Sequence, residues 1–289
     1  MEFLSLTSLD EALEKLESFG ADAALVADGT AIRYQLVSGQ IKAKVVLHIE
    51  RLGEAQGISC NGAAHLGALT NLRDVAENAD ILKRFPSVAQ AAGKCGGWQT
   101  QSVATVGGNV CGAAPNADLL PPLLVQDAEI ELTSRARGSR TLALGEFVLD
   151  AYKTARAADE MATAFLMPAP PTRSAYIYVR IQRRSAMERP IIGVALRLTL
   201  DDSLKQVQEV RIAVSGAGAV PFRASEAETL LAGQTPGKEA VCAAADAILK
   251  RCTFRTDARA SASYRAAVLP RAFAHAVSEC ATAITDISS

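Results

Sequence analysis

Thr105-Val106-Gly107-Gly108-Asn109, with Pro115-Asn116-Ala117-Asp118 shortly after it, is the stretch whose reading decides the fold. Adjacent glycines let a backbone approach a ligand closely and turn successive N–H groups toward an anion. Thr105 and Asn109 bracket the pair with hydrogen-bonding side chains. Asp118 adds an acceptor suited to a sugar or ribityl hydroxyl. Alone, a Gly-Gly pair is most often a turn. It gains weight because a second glycine loop, Ala27-Asp28-Gly29-Thr30-Ala31-Ile32, ends the apolar run Ala23 to Ala27. Two such loops suit one pyrophosphate-containing cofactor held from two sides. Asp28 is the oddity, a carboxylate where a phosphate cradle favours an uncharged residue.

The rest of the chain sets the frame. With 289 residues it is suited to about two domains. Aromatics make up 5% and the net charge is −1, which argues against a base-stacking platform and a polyanion-binding field. Nucleic acid is therefore not an expected partner. The longest apolar runs, such as Ile191 to Leu196, are too short to span a bilayer. Glu2, Asp10 and Glu11 interrupt any signal-peptide pattern, so a cytoplasmic location is the expectation. Cys60, Cys95, Cys111, Cys242, Cys252 and Cys280 form no C-x-x-C and no iron–sulfur or zinc spacing. Reduced, buried thiols are expected. His48, His65 and His275 are scattered, and His48 in Val-Val-Leu-His-Ile reads as structural.

Local patterns place the loops. Ser8 to Phe19 reads as a helix with a Ser8–Glu11 capping box and a Gly20 stop. Ala23 to Ala27 and Val45 to Ile49 read as strands on either side of the first loop. Asn71 to Phe85 and Ser87 to Lys94 read as helices, Pro86 opening the second. Glu129 to Thr133 and Arg140 to Leu144 form a hairpin, and Ala162 to Met167 is a further strand. The proline cluster from Pro168 to Arg173 marks a domain boundary. Three strands follow, Ala175 to Gln182, Ile192 to Leu200 and Val207 to Ser215, with Tyr176 and Tyr178 on one face. Helices at Phe222 to Leu231, Lys238 to Arg251 and about Asp257 to Cys280 close the chain, the last kinked at Pro270. Lys153, in Asp-Ala-Tyr-Lys-Thr, is either a solvated lysine or a cation beside a ligand ring. The arginine-rich stretch Arg180 to Arg189 is read as a strand end and subunit-facing loop in preference to a phosphate site.

Together these residues resemble the medium, FAD-binding subunit of the xanthine dehydrogenase and carbon monoxide dehydrogenase family of molybdenum hydroxylases. The family's A-G-G-T-D-L stands here as Ala27 to Ile32, its T-I-G-G-N as Thr105 to Asn109, and its P-x-x-D as Pro115 to Asp118. Its K-T stands as Lys153-Thr154, and a D-x-R-A-S-x-x-Y-R motif as Asp257 to Arg265. The likeness spans nearly the whole chain. It implies an α+β fold: a two-lobed FAD-binding domain of the vanillyl-alcohol-oxidase-like (PCMH) type over residues 1–170. The lobes cover about 1–56 and 57–170. A C-terminal domain over 171–289 then holds a three-stranded antiparallel sheet and a helical bundle.

The resemblance also implies a role and partners. FAD on this chain takes electrons from [2Fe–2S] clusters and passes them to NAD, a quinone or oxygen. The partners are a large molybdopterin-binding subunit and a small [2Fe–2S] subunit, assembled as a dimer of heterotrimers. By resemblance the cofactor-binding residues are Ala27, Asp28, Gly29, Thr30, Ala31, Ile32, Thr105, Gly107, Gly108, Asn109, Asp118 and Lys153. Within that set, Gly29, Thr30, Gly107 and Gly108 offer backbone N–H groups to the pyrophosphate. Asp118 takes a ribityl hydroxyl, and Lys153 the ring edge. Three departures stand out: Asp28 for a loop glycine, Ala31 for an aspartate, and Gln99 to Ser102 (Q-T-Q-S) for Q-I-R-N. A carboxylate about 4 Å from a phosphate costs on the order of 1 kcal/mol even at water's dielectric. The alternative reading is a scaffold subunit with weakened or lost FAD binding.

Overall fold

The computed structural model describes residues 1–288. The first lobe is a three-stranded parallel sheet with Val45–His48 at its centre, flanked by Glu2–Ser5 and Ala23–Val26. Parallel neighbours need crossover connections. The helix Leu9–Phe19 supplies the first, and the glycine loop with the helix Ile32–Val37 lies in the second. Ser8 caps the first helix, its Oγ accepting the Glu11 N–H at 3.3 Å, while the Glu11 carboxylate reaches back to the Thr7 N–H at 3.1 Å. The strand Glu2–Ser5 is not apparent from periodicity. It is short and mostly exposed, and only its pairing with Val45–His48 defines it.

The second lobe is a five-stranded antiparallel sheet. Its order is Ile58–Asn61, Ala63–Gly67, Met161–Met167, Glu129–Ser134, Gly138–Ala143. Helices pack on it, and Leu66, Phe85, Val88, Leu120, Ile130 and Phe165 lie in their common core. The expected helix from Asn71 to Phe85 is two helices, Leu72–Glu77 and Ala79–Arg84. Asn78 interrupts them with an extended backbone, and its Oδ1 caps the second by accepting the Asp80 and Ile81 N–H groups at 3.0 Å.

Beyond the prolines, Ser174–Ile181, Ile192–Leu200 and Val207–Ser215 form the expected antiparallel strands, and the two-residue strand Phe222–Arg223 extends the sheet. The helix expected from Phe222 therefore begins at Ser225. The last helix runs Ala262–Ser288 with Pro270 inside it, and residues 257–261 precede it as a hydrogen-bonded turn. One face of this sheet packs with those helices through Leu196, Ile212, Ile248 and Phe273. From the other face Tyr178, Ala195 and Ala213 join the core of the second lobe. All six cysteines are free; Cys280 is buried and Cys242 is exposed, contrary to a uniformly buried set. Among the described residues no group of His, Cys, Asp and Glu has metal-binding geometry, and no helix is long and apolar enough to cross a membrane.

Candidate cofactor site

The second glycine loop opens a short helix, Val106–Cys111, where the sequence suggested only a loop. Thr105 is its N-cap: the Oγ1 accepts the Gly108 N–H at 3.0 Å. The Gly107 N–H goes to Ala68 O at 2.7 Å, and the Asn109 N–H to Thr105 O at 3.0 Å. Gly107 is glycine because of that approach, since a Cβ there would stand 2.8 Å from Ala68 O. Asn109 is spent locally as well. Its Oδ1 accepts the Leu119 N–H at 3.2 Å and its Nδ2 lies 3.5 Å from the Cys95 sulfur. The amide donors anticipated at Gly107 and Gly108 are therefore committed within the fold, although Gly108 itself is exposed.

The first loop differs. Gly29 adopts a φ of +80°, a region that favours glycine. The Thr30 N–H is taken by Asp28 Oδ2 at 3.1 Å, while those of Gly29 and Ala31 have no hydrogen-bond partner among the described residues. Ala27 packs against the first lobe's core, Thr30 and Ala31 are exposed, and Ile32 starts the helix Ile32–Val37. Arg33 on that helix points into solvent. The loops face each other: a Cβ on Gly108 would stand 3.7 Å from Asp28 Oδ1.

Asp118 lies deeper. It is 3% exposed, and its Oδ1 accepts the Tyr178 hydroxyl at 3.0 Å. The same oxygen is 2.9 Å from Arg180 Nε, an ion pair whose N–H is not aligned for a hydrogen bond. Burial pushes the Asp118 carboxyl up to about 6, against the pull of Arg180 and Tyr178. Arg180 also donates to Lys94 O at 2.7 Å and to Gln182 Oε1 at 2.6 Å. Cys95 faces the same carboxylate, and burial drives its thiol up to about 12. Asp118 thus ties the second loop to the C-terminal sheet. Tyr178 and Arg180 are the partners that sequence reasoning missed, and the only signal was their shared alternation on one strand. Arg183 is engaged too, with Glu188, while Arg184 and Arg189 of the same stretch are exposed.

Lys153 is exposed at the tip of the hairpin Val148–Asp150 and Lys153–Thr154, without an ion pair among the described residues. Its neighbour Tyr152, at a φ of +61°, donates its N–H to Ala113 O at 2.8 Å. That bond fastens the hairpin to the turn after the second glycine loop. Gln101, the departure from the family's arginine, is buried and donates to Gly93 O at 2.7 Å.

Residues 1–170 match the family described as the FAD binding domain in molybdopterin dehydrogenase, and residues 177–280 the CO dehydrogenase flavoprotein C-terminal domain. The chain belongs to this family of molybdenum hydroxylase FAD subunits. It is 28% identical over 264 residues to the xanthine dehydrogenase FAD-binding subunit of Escherichia coli O157:H7, covering 90% of this chain and 89% of that one. It is 27% identical over 268 residues to the carbon monoxide dehydrogenase medium chain of Hydrogenophaga pseudoflava, covering 92% of each. The solved carbon monoxide dehydrogenase of that organism superposes with a TM-score of 0.92 at 26% identity, covering 98% of both chains. Quinoline 2-oxidoreductase from Pseudomonas putida 86, at 18% identity and a TM-score of 0.90, shares the fold.

The molybdenum hydroxylase FAD subunit is thus α+β, a two-lobed FAD-binding domain with a C-terminal sheet and helical bundle behind it, and it is an oxidoreductase subunit. The two loops are compatible with an anionic cofactor such as FAD in their donors and facing arrangement. The two loops face each other, the Gly29 and Ala31 N–H groups have no partner among the described residues, and Gly108 turns no side chain toward the first loop. Asp28 is the departure from that fit.

Proposed function

We propose that this chain is the electron-transfer subunit of a multi-subunit molybdenum hydroxylase. The first loop, Ala27 to Ile32, holds the FAD pyrophosphate through the N–H groups of Gly29 and Ala31. Thr105, Gly107, Gly108 and Asn109 form the rigid opposite wall. Asp118 closes the ribityl side, and Lys153 supplies positive charge at the ring edge. When bound, FAD supplies a redox carrier between partner [2Fe–2S] clusters and an external acceptor, NAD, a quinone or oxygen; the protein supplies position and charge. The molybdopterin sits on a large partner subunit and the iron–sulfur clusters on a small one, in a dimer of heterotrimers in the cytoplasm. We divide the chain into 1–170, with lobes about 1–56 and 57–170, and 171–289. The three hydrophobic clusters support that division in the main, with Tyr178, Ala195 and Ala213 crossing into the second lobe's cluster and Leu69 and Met161 into the first lobe's.

The observation that carries this reading is the facing pair of glycine loops, one with two N–H groups that have no partner among the described residues. A second reading, a scaffold that has weakened or lost its FAD, is favoured by Asp28 lying against Gly108 and by the committed donors of the second loop. Purifying the tagged chain from its native cells distinguishes them. Molybdenum, iron and FAD in fixed ratio are the expected result; metals without flavin would leave the scaffold.

A further inference from the structure

Four features of the first loop bear on one side chain. Asp28 Oδ2 accepts the Thr30 N–H at 3.1 Å, so the carboxylate is fixed by its own loop. Its other oxygen is directed across the gap, 3.7 Å from where a Cβ of Gly108 would stand. On the same loop the N–H groups of Gly29 and Ala31 have no partner among the described residues. The half-buried carboxylate has no cation against it there: neither a salt bridge nor a hydrogen bond joins it to a lysine or arginine among the described residues. The nearest arginine in sequence, Arg33, is exposed on the following helix.

We infer that Asp28 is a built-in competitor for the phosphate position, an anion carried by the chain itself that sets the affinity for FAD. This rests on the reading that the two glycine loops hold a pyrophosphate. A carboxylate satisfies one loop donor as a phosphate oxygen does, and it stands between the two walls. A bound diphosphate must either displace it from Thr30 or lie beside it, and like charges at this range repel. The penalty falls on the phosphates alone, so the effect is selective among ligands. FAD and ADP carry it, and riboflavin, which has no phosphate, does not. The partial exposure of the loop makes the repulsion sensitive to salt.

The test uses the full chain with Asp28→Asn, which removes the charge at constant size, and Asp28→Gly, which removes the side chain. FAD, ADP and riboflavin affinities are measured by titration calorimetry and flavin fluorescence at low and high salt. Both variants are expected to bind FAD and ADP about tenfold more tightly, with riboflavin within about twofold of the parent and the gain shrinking in high salt. Unchanged or weaker FAD binding in Asp28→Asn would overturn the inference while leaving the FAD site standing. Tightening in Asp28→Gly alone would overturn it too, because the loop backbone and not the charge would then be the cause. No FAD binding by the parent or either variant would sink the FAD reading itself, and the inference with it.

Discussion

Asp118 and Arg180 meet at 2.9 Å with both side chains sealed from solvent, one from the segment behind the second glycine loop and the other from the C-terminal sheet. This pair, with Tyr178 on the same carboxylate oxygen, makes the wall of the candidate cofactor site continuous with the C-terminal sheet. Removing one member of a buried pair leaves an uncompensated charge, which typically costs about 3–5 kcal/mol. Asp118→Asn and Arg180→Met are each expected to lower the urea-unfolding free energy by that order. The double variant should recover more than half of the loss, because an apolar or neutral replacement of both partners is often close to neutral. Single variants costing under about 1 kcal/mol would show that the tie is incidental.

The glycines divide into two kinds. At Gly107 an added Cβ meets the backbone at Ala68 O, 2.8 Å away, with the Ala68 Cβ at 3.1 Å. At Gly29 the nearest atom to an added Cβ is 3.7 Å away, and the obstacle is the φ of +80°. Gly107→Ala is therefore expected to destabilise by about 2–3 kcal/mol through forced movement of packed backbone. Gly29→Ala should cost about 1 kcal/mol, the ordinary penalty of the left-handed region. Thermal unfolding of the two variants checks the order, and FAD titration should show Gly29→Ala weakening binding more than its stability loss accounts for.

Local signals explain what was legible beforehand. Ile192–Leu200, Val207–Ser215 and Lys238–Arg251 have the bounds that periodicity and flanking turns indicate, because each is long and its pattern is its own. The strand Glu2–Ser5 has no such pattern, and the break at Asn78 depends on a cap competing with a continuous helix. At the site, the two loops and a ligand held between them were readable from their glycines and the polar residues around them, while Thr105's role as a helix cap was not. The distribution of donors was not. Whether the Gly107 N–H serves a ligand or Ala68 O depends on the turn after a strand distant in sequence, and whether Asp118 faces solvent depends on Arg180.

Glu160 gives a test in pH. Burial alone would raise its carboxyl, but bonds from Arg140, from the Ala157 N–H and from Arg137 hold it down at about 2, against an ordinary 4.5. A carboxyl depressed by folding adds stability that is complete above the unfolded value and is lost as pH falls toward the folded one. Both arginines are about half exposed, so solvent screening trims the contribution to about 2 kcal/mol. Glu160→Gln should therefore be less stable than the parent by that amount near neutral pH. The difference should shrink steadily below about pH 4.5. A gap that stays constant through the acid range would contradict the role assigned to its charge.

Arg265 accounts for the D-x-R-A-S-x-x-Y-R motif. It is 2% exposed and donates to Asp257 Oδ1 at 2.9 Å, to Gly216 O at 3.3 Å and to Ile191 O. Gly216 in turn donates its N–H to Pro115 O at 2.8 Å, so the motif supports the segment that carries Asp118. Arg265→Met is expected to cost about 2–3 kcal/mol through the stranded Ile191 and Gly216 carbonyls, since Asp257 keeps Arg259 and the Arg259 and Ala260 N–H groups as partners. It should also raise hydrogen exchange at Gly216, which Asp118→Asn alone would affect less.

The central claim is that the facing glycine loops hold FAD on this chain. The visible absorption spectrum of the purified protein, with the flavin released on denaturation identified and counted, tests it most directly. A yellow protein, or a colourless one that takes up FAD saturably and in one-to-one ratio, is the expected result. A colourless chain that takes up no FAD at any concentration, while still assembling with its molybdenum and iron–sulfur partners, would contradict it.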